Sequence, residues 1–227
     1  MTALPPATPT RANHPLILML VLTFSTGMID AVGYLGLDRV FTANMTGNVV
    51  ILGMALTGTA SLPVVGPLIA LLTFMAGAGL AGRLLRPARG AWSGLTTTSF
   101  ALTGGTVLLV GAACLVWHPV PHTVWGDVVT GTLGLAMGVQ AACARKLGVK
   151  DVTTVVITST ITGLAADSRF AGGSSENWAR RLLAVLLMLL GAAAGALLLH
   201  IDIALGLLVP GVIVLATTAL GHSKRHS

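Results

Sequence analysis

Long apolar runs, separated by short stretches that carry nearly all of the charges, constrain the fold of this chain most. No Asp, Glu, Lys or Arg occurs between Arg39 and Arg83. A helix needs about 20 predominantly apolar residues to cross roughly 30 Å of hydrocarbon. Apolar residues make up 54% of the chain, charged residues make up 9%, and the mean hydropathy is +0.89. The sequence therefore predicts an all-α polytopic membrane protein and excludes an ordinary soluble core.

Eight apolar segments follow one another along the chain. We expect a single membrane domain over residues 15–221, between a disordered cytoplasmic tail at residues 1–14 and a short cytoplasmic tail at residues 222–227. In chain order the segments are A (16–37), B (40–58), C (62–85), D (95–117), E (124–144), F (152–166), G (182–199) and H (203–220).

The positions of the basic residues indicate which segments cross the membrane, because Lys and Arg concentrate in cytoplasmic loops. If neither B nor F crosses and the N-terminus is inside, twelve of the thirteen Lys and Arg residues face the cytoplasm. If all eight segments cross, the charges divide six to seven. Segment F, about 22 Å long as a helix, is also short for a span. We predict a re-entrant or broken F; the charges leave B open, since a crossing B with an outside N-terminus serves equally well.

An internal repeat favours a short, re-entrant B as well. At an offset of 112 residues, Thr46-Gly47-Asn48 in B aligns with Thr158-Ser159-Thr160 in F, and Gly79 aligns with Gly191. We therefore predict six transmembrane helices and two short re-entrant or broken helices. The two repeats would cover about residues 16–117 and 124–220. Three spans in each repeat would invert the second relative to the first, an architecture that recurs in transporters.

Three motifs also suggest a family. They are Gly27-Met-Ile-Asp30-Ala-Val-Gly33, Phe41 followed by Asn44-Met-Thr-Gly-Asn48, and Met137-Gly-Val-Gln140 followed by Thr153-Thr154. Together they resemble the YoaK-like family of bacterial membrane proteins, a domain of unknown function, over nearly the whole chain after residue 14. The resemblance implies an integral protein of the bacterial inner membrane and implies no substrate. The chain departs from the family pattern at two places. Thr158-Ser159-Thr160 stands where the family often has Thr-Gly followed by Asn or Thr, and Ala141 stands where an Asn often follows the Gln.

Asp30 is the only acid well inside a segment. A charged carboxylate near the bilayer centre costs about 2.5–3.5 kcal/mol on insertion scales, so it needs a cavity, a partner or a proton. Two interpretations follow. Asp30 is either a site that couples transport to a proton or another cation, or a structural acid that caps the broken end of B or meets Gln140.

The polar residues of B and F are candidates for a solute site where two helix breaks meet near the midplane. Gly47 allows a backbone turn that other residues resist. The structural alternatives are interhelical hydrogen bonds in B and back-bonding of Ser and Thr within F. The predicted solute-binding residues are Asp30, Asn44, Thr46, Gly47, Asn48, Gln140, Thr158 and Thr160.

Several functional classes are disfavoured. The chain lacks a nucleophile elbow, an HExxH motif, a P-loop and a dinucleotide fingerprint, so we expect no enzyme and no cofactor. Cys114 and Cys143 lie inside apolar segments and are expected to be buried core residues, and we predict no metal site. The net charge of +6 comes from residues beside apolar segments, which favours the lipid bilayer and not nucleic acid as the partner.

Two functional hypotheses remain. The first is a transporter or permeation protein for a small-molecule solute, bound at a central polar site between the repeats. It would lie in the bacterial inner membrane as a multi-pass protein with both termini in the cytoplasm. The second is a non-transporting membrane scaffold or homo-oligomer, in which the Gly- and Ala-rich faces of C and G are contact surfaces and the polar motifs only lock the bundle.

Overall fold

The computed structural model describes residues 14–58, 61–88, 92–148, 157–175 and 177–224, and these residues form eight α-helices. Six of the helices are 20 to 24 residues long and apolar enough to cross a membrane. The helices are α1 (His14–Gly36), α2 (Met45–Ala55), α3 (Val65–Leu84), α4 (Gly94–Val116), α5 (Val124–Leu147), α6 (Ile157–Ala166), α7 (Trp178–Leu199) and α8 (Ile203–Ser223).

The prediction of an all-α protein with six spans and two short helices is confirmed. Helices α2 and α6 lie in segments B and F and have 11 and 10 residues. At about 1.5 Å per residue they measure roughly 17 and 15 Å, too short to cross a bilayer. Residues 152–156 of segment F lie outside the described residues, as do residues 1–13 and 225–227 of the predicted tails.

Glycines bring α1 and α7 into backbone contact. A β-carbon on Gly191 would overlap the carbonyl oxygen of Phe24, and one on Gly195 would crowd that of Met28. Small residues of this kind allow membrane helices to approach closely enough for extensive van der Waals contact. Because the contacting residues advance together along both helices, α1 and α7 run parallel.

Helices α3 and α5 form a second parallel pair of the same kind. A β-carbon on Gly77 would overlap the carbonyl oxygen of Leu135, and one on Gly138 would overlap that of Phe74. The direction of the pair follows from two glycines of α5, since Gly131 meets Ile69 and Gly138 meets Phe74 and Ala78, so the contacting residues rise together. Gly77 therefore occupies the position in this pair that Gly191 occupies in the other. Gly79, which the constant offset of 112 aligns with Gly191, faces open space, so the register of α3 differs by two residues from that alignment.

Helices α4 and α8 pack against each other in opposite directions. Gly104 meets Leu215, and Gly111 meets Leu208. As the residue number rises in α4 it falls in α8, so the pair is antiparallel. Each helix also contacts a member of a parallel pair, α8 packing on α1 and α4 on α5.

The helix contacts show an internal correspondence: if α1 to α4 are matched with α5 to α8, most contacts between helices in one half have a counterpart in the other. The contacts α1–α7, α1–α8 and α2–α3 correspond to α5–α3, α5–α4 and α6–α7, while α4–α8 corresponds to itself. The contact between α7 and α8 has no counterpart of similar extent between the described residues of α3 and α4.

The two ends of the bundle differ in charge. Of the nine described Lys and Arg residues, only Arg39 lies at the end where α1 finishes and α8 begins, together with Asp38, Asp127 and Asp202. We call this the acidic end. The other eight lie at the opposite, basic end: Arg83, Arg86, Arg145, Lys146, Arg169, Arg180, Arg181 and Lys224.

Two neighbouring glycines of α3 test the close packing. We expect Gly77→Ala to lower the free energy of unfolding by about 1–3 kcal/mol, because the new methyl group forces α3 away from α5. Gly79→Ala is the matched control and should leave stability unchanged or raise it by up to about 1 kcal/mol through helix propensity. Unfolding of the purified protein in detergent measures both, and equal effects of the two substitutions would contradict the described packing.

Candidate functional site

After α1 ends, the chain folds back along the same helix. In this return segment, residues 37–44, the Val40 N–H donates to the Gly33 carbonyl at 3.2 Å and the Ala43 N–H donates to Asp30 Oδ1 at 2.7 Å. From Val40 to Ala43 the chain advances by three residues, while the α1 residue to which it bonds changes from Gly33 back to Asp30. Ala43 lies about 9 Å below the end of α1 at the helical rise per residue. The chain therefore re-enters the bundle from the acidic end before α2 begins.

Asp30 holds the start of α2. Its side chain is buried, and Oδ1 also accepts from the Thr42 hydroxyl at 3.3 Å. The backbone N–H groups of Thr42 and Asn44 lie close to the same carboxylate but outside hydrogen-bond geometry. These amides precede the first turn of α2, where negative charge is favoured by the helix dipole.

One half of the Asp30 carboxylate has no partner among the described residues. Oδ2 is buried and makes no hydrogen bond. Gln140 Oε1 is likewise buried without a hydrogen bond. Asp30 thus contacts segment B, as its structural interpretation expected, but it does not bond to Gln140. A buried oxygen left unpaired costs about 1–3 kcal/mol, so this arrangement is expensive unless something else pairs with it.

Asn48 ties α2 to the return segment. Its Nδ2 donates to the Phe41 carbonyl at 2.6 Å, and its Oδ1 accepts from the Phe41 N–H at 2.9 Å. Gly47 leaves room for the Phe41 ring, which stacks on Tyr34 with 4.9 Å between the ring centroids. Both polar groups of the buried Asn48 side chain are therefore used within the fold.

The other predicted site residues lie elsewhere. Asn44 and Thr46 are exposed, and Asn44 precedes α2 without a capping hydrogen bond from its side chain. On α6, Thr158 is exposed and Thr160 is buried. Among the described residues, helix α6 packs on α7 and on the 3₁₀ turn that follows it, and this part of the structure does not place Thr158 or Thr160 beside Asp30 and Gln140.

Gln140 meets α1 at a residue that sequence reasoning missed. Its side chain is fully buried, and Nε2 donates to the Thr26 hydroxyl at 3.0 Å. Thr26 in turn donates to the Leu22 carbonyl at 2.8 Å. Thr26 precedes Asp30 by four residues, which places both on one face of α1. This four-residue spacing from Asp30 could have identified Thr26 as a member of the site from the sequence.

Helix α4 completes a buried polar layer across the bundle. The Thr103 hydroxyl contacts the Ala136 carbonyl of α5 at 3.2 Å, and Ser99 lies beside Cys143. Gln140 lies on the same face of α5, between those two positions. The members of this central polar layer are Thr26, Asp30, Ser99, Thr103 and Gln140, all buried.

The central polar layer separates two apolar clusters. The cluster toward the acidic end includes Ile29, Val107, Met137 and Leu207, and the cluster toward the basic end includes Leu22, Phe100, Cys143 and Val214. On α1, α4, α5 and α8, about one to two turns lie between the two clusters. These turns hold Thr26, Thr103 and Gln140, and on α8 they hold Pro210 and Gly211. Asp30 and Ser99 lie one residue beyond them, next to Ile29 and Phe100. The layer is thus close to the middle of the bundle.

Side-chain pairs join three connectors at the acidic end. His118 Nε2 lies 3.2 Å from Asp202 Oδ2, and His122 Nε2 lies 3.5 Å from Asp38 Oδ1. The Ala204 N–H, with a smaller contribution from His118, lowers the pKa of Asp202, whereas burial raises the pKa of Asp38. The α4–α5 connector is therefore held to the connectors α1–α2 and α7–α8 by these two side-chain pairs.

Arg181, one of the basic residues whose positions predict the topology, also makes a structural contact. Its guanidinium donates to the Gly163 carbonyl at 2.7 Å and pairs with Asp167. A cation at a helix C-terminus pairs with free carbonyl groups and with the helix dipole. Arg181 thus fixes the end of α6 against the start of α7.

Six apolar spans, a re-entrant segment and a buried polar layer define a polytopic α-helical membrane protein. A family model described as a protein of unknown function (DUF1275) matches residues 18–220, and the chain belongs to this family. The chain is 33% identical over 159 residues to the UPF0700 transmembrane protein YoaK of Bacillus subtilis (strain 168), covering 70% of this chain and 69% of that protein. The predicted YoaK-like family is confirmed. No solved structure matches the chain.

Two asparagines of the same motif test how the return segment is held. We expect Asn48→Ala to destabilise the protein by about 2 kcal/mol or more, because it leaves the Phe41 N–H and carbonyl unpaired. Asn44→Ala removes an exposed side chain and should change stability by less than about 0.5 kcal/mol. Thermal unfolding in detergent measures both, and a loss at Asn44 equal to that at Asn48 would refute this role.

Proposed function

We propose that this protein is a transporter or permeation protein for a small solute, with the central polar layer as its site. The observation that carries the proposal is a buried polar layer in which three side-chain atoms, Asp30 Oδ2, Gln140 Oε1 and Ser99 Oγ, have no hydrogen-bond partner among the described residues. Polar groups at such depth are costly and typically mark solute or ion pathways. The proposal assigns no reaction and no cofactor to the chain.

We propose the orientation from the charges. The basic end faces the cytoplasm of a bacterial cell, because cytoplasmic loops carry the excess of Lys and Arg. The start of α1 and the end of α8 lie at that end, which gives cytoplasmic termini in the inner membrane. The return segment then enters from the opposite side.

The proposal includes two inverted halves, about residues 16–117 and 124–220. Support comes from the exchange of helix pairings between the halves and from the antiparallel α4–α8 pair. Two helices related by a two-fold axis across their length run in opposite directions, as inverted repeats require. One short helix in each half adds to this support.

A scaffold or homo-oligomer is the second candidate function. It is favoured by Asn48, whose polar groups are both used inside the fold, and by the many exposed apolar residues of α3 and α7. Under this alternative the polar layer only locks the bundle, and exposed faces of α3 and α7 meet lipid or a second copy.

Cysteine labelling tests the inversion. We expect a membrane-impermeant maleimide to label Arg39→Cys in intact cells, and Lys146→Cys and Arg169→Cys only after permeabilisation, because α6 does not cross. Cys114 and Cys143 are buried, so the unmodified protein provides a low background. Labelling of residues 146 and 169 from different sides would mean that α6 crosses and would remove the inverted repeat.

Flux measurements test the function. Purified protein in liposomes should move at least one small solute, and we expect Asp30→Asn to reduce that movement more than about tenfold while the protein stays folded. Asp127→Asn, the same change at the acidic end, is the matched control and should retain flux. If Asp30→Asn only lowers thermal stability and no solute's movement depends on Asp30, the scaffold is the better description.

A further inference from the structure

The buried carboxylate of Asp30 lacks a positive partner. No Lys, Arg or His among the described residues pairs with it, and the nine described Lys and Arg residues all lie at the two ends of the bundle. An uncompensated charge at this depth is costly, and a bound cation would offset that cost.

Three buried side-chain atoms of the central polar layer are unpaired among the described residues: Asp30 Oδ2 and Gln140 Oε1 are acceptors, and Ser99 Oγ is a hydroxyl that can donate or accept. The Gln140 amide donor is used by Thr26, and the Thr26 and Thr103 hydroxyls donate to backbone carbonyls. Asp30 Oδ2 and Gln140 Oε1 remain unpaired. Such a site pairs with hydrogen-bond donors and disfavours anions.

Thr26 links the two residues that carry these acceptors. Asp30 and Thr26 are one turn apart on the same face of α1, about 6 Å between β-carbons, and Gln140 bonds to Thr26. Ca²⁺ and Mg²⁺ take six or more oxygen ligands, far more than two unpaired oxygens supply. Zn²⁺ takes four ligands, mainly Cys and His, and the layer contains neither residue. A small cation with N–H groups needs only a few acceptors in a suitable direction.

We infer that the central polar layer binds a small monovalent cation of the ammonium or alkylammonium class through Asp30 Oδ2 and Gln140 Oε1. This inference rests on the proposed function, since it names the solute class of the same site. The carboxylate supplies the opposite charge and the amide oxygen a second, neutral acceptor. The Ala43 N–H holds Oδ1 and thereby orients Oδ2.

Binding to the purified full-length protein in detergent tests the inference, because neutral ammonia crosses lipid and would obscure a flux assay. At constant ionic strength, ammonium and methylammonium should each raise the unfolding temperature, and the stabilisation should grow with concentration as RT ln(1 + c/Kd), where c is the concentration of the free cation. Tetramethylammonium, which has the charge but no N–H donor, should not. Equal stabilisation by tetramethylammonium or by potassium, or none by ammonium and methylammonium, would overturn the inference.

Variants locate the site. Asp30→Asn and Gln140→Leu should each raise the dissociation constant for methylammonium more than about tenfold, because each removes an acceptor. Asp127→Asn should leave it unchanged. If Asp30→Asn does not fold, Gln140→Leu and the cation series on the unmodified protein decide the question. Unchanged affinity in Gln140→Leu would place the cation elsewhere and overturn the inference.

The two proposals fail separately. Asp30-dependent flux of a neutral or anionic solute, without methylammonium binding, would refute the cation class and leave transport standing. Methylammonium binding that depends on Asp30 and Gln140, without Asp30-dependent flux of any solute, would refute transport and leave the cation site standing.

Discussion

The structure depends on how the irregular backbone of the return segment is satisfied inside a bilayer. Residues 37–44 are not helical, and no water in hydrocarbon can pair with their N–H and carbonyl groups. Side chains and helix ends of the protein take that role. Asp30 accepts from Ala43, Gly33 accepts from Val40, and Asn48 pairs with both groups of Phe41. Without these bonds the chain could not descend beside α1, and α2 would not begin where the polar layer lies.

Close glycine contacts give the return segment a rigid frame. Lipid tails are as apolar as the side chains, so helices in a membrane associate through close packing and not through burial from water. Gly191 and Gly195 on α7, and Gly77 and Gly138 in the other pair, let the backbones meet. The two parallel pairs flank α4 and α8, and polar side chains on α1, α4 and α5 are thereby brought to one depth.

The sequence was sufficient to predict the number and length of the helices, because segment length and charge can be read from each stretch of the chain without knowing how the helices pack. Apolar length, the positions of the basic residues and the internal repeat together predicted six spans and two short helices. The partner of Gln140 could not be found in this way, since which face of α5 meets Thr26 depends on how two helices pack. For the same reason, Asn44 and Thr46 could not be separated from Asn48 by composition, although only Asn48 faces the return segment. In α3, the two-residue change in register between Gly77 and Gly79 is likewise a property of packing.

The structural and functional interpretations of a buried polar residue are not exclusive, and the two oxygens of Asp30 illustrate why. Oδ1 is used by the fold, while Oδ2 remains unpaired in the polar layer. Asn48 differs, because its oxygen and its nitrogen are both used by the backbone of Phe41. A carboxylate that serves the backbone with one oxygen is held in a fixed orientation, and its second oxygen is therefore presented to the centre of the bundle without further loss of side-chain entropy. The contact that fixes the re-entrant segment thus also preorganises the acceptor proposed to bind the solute.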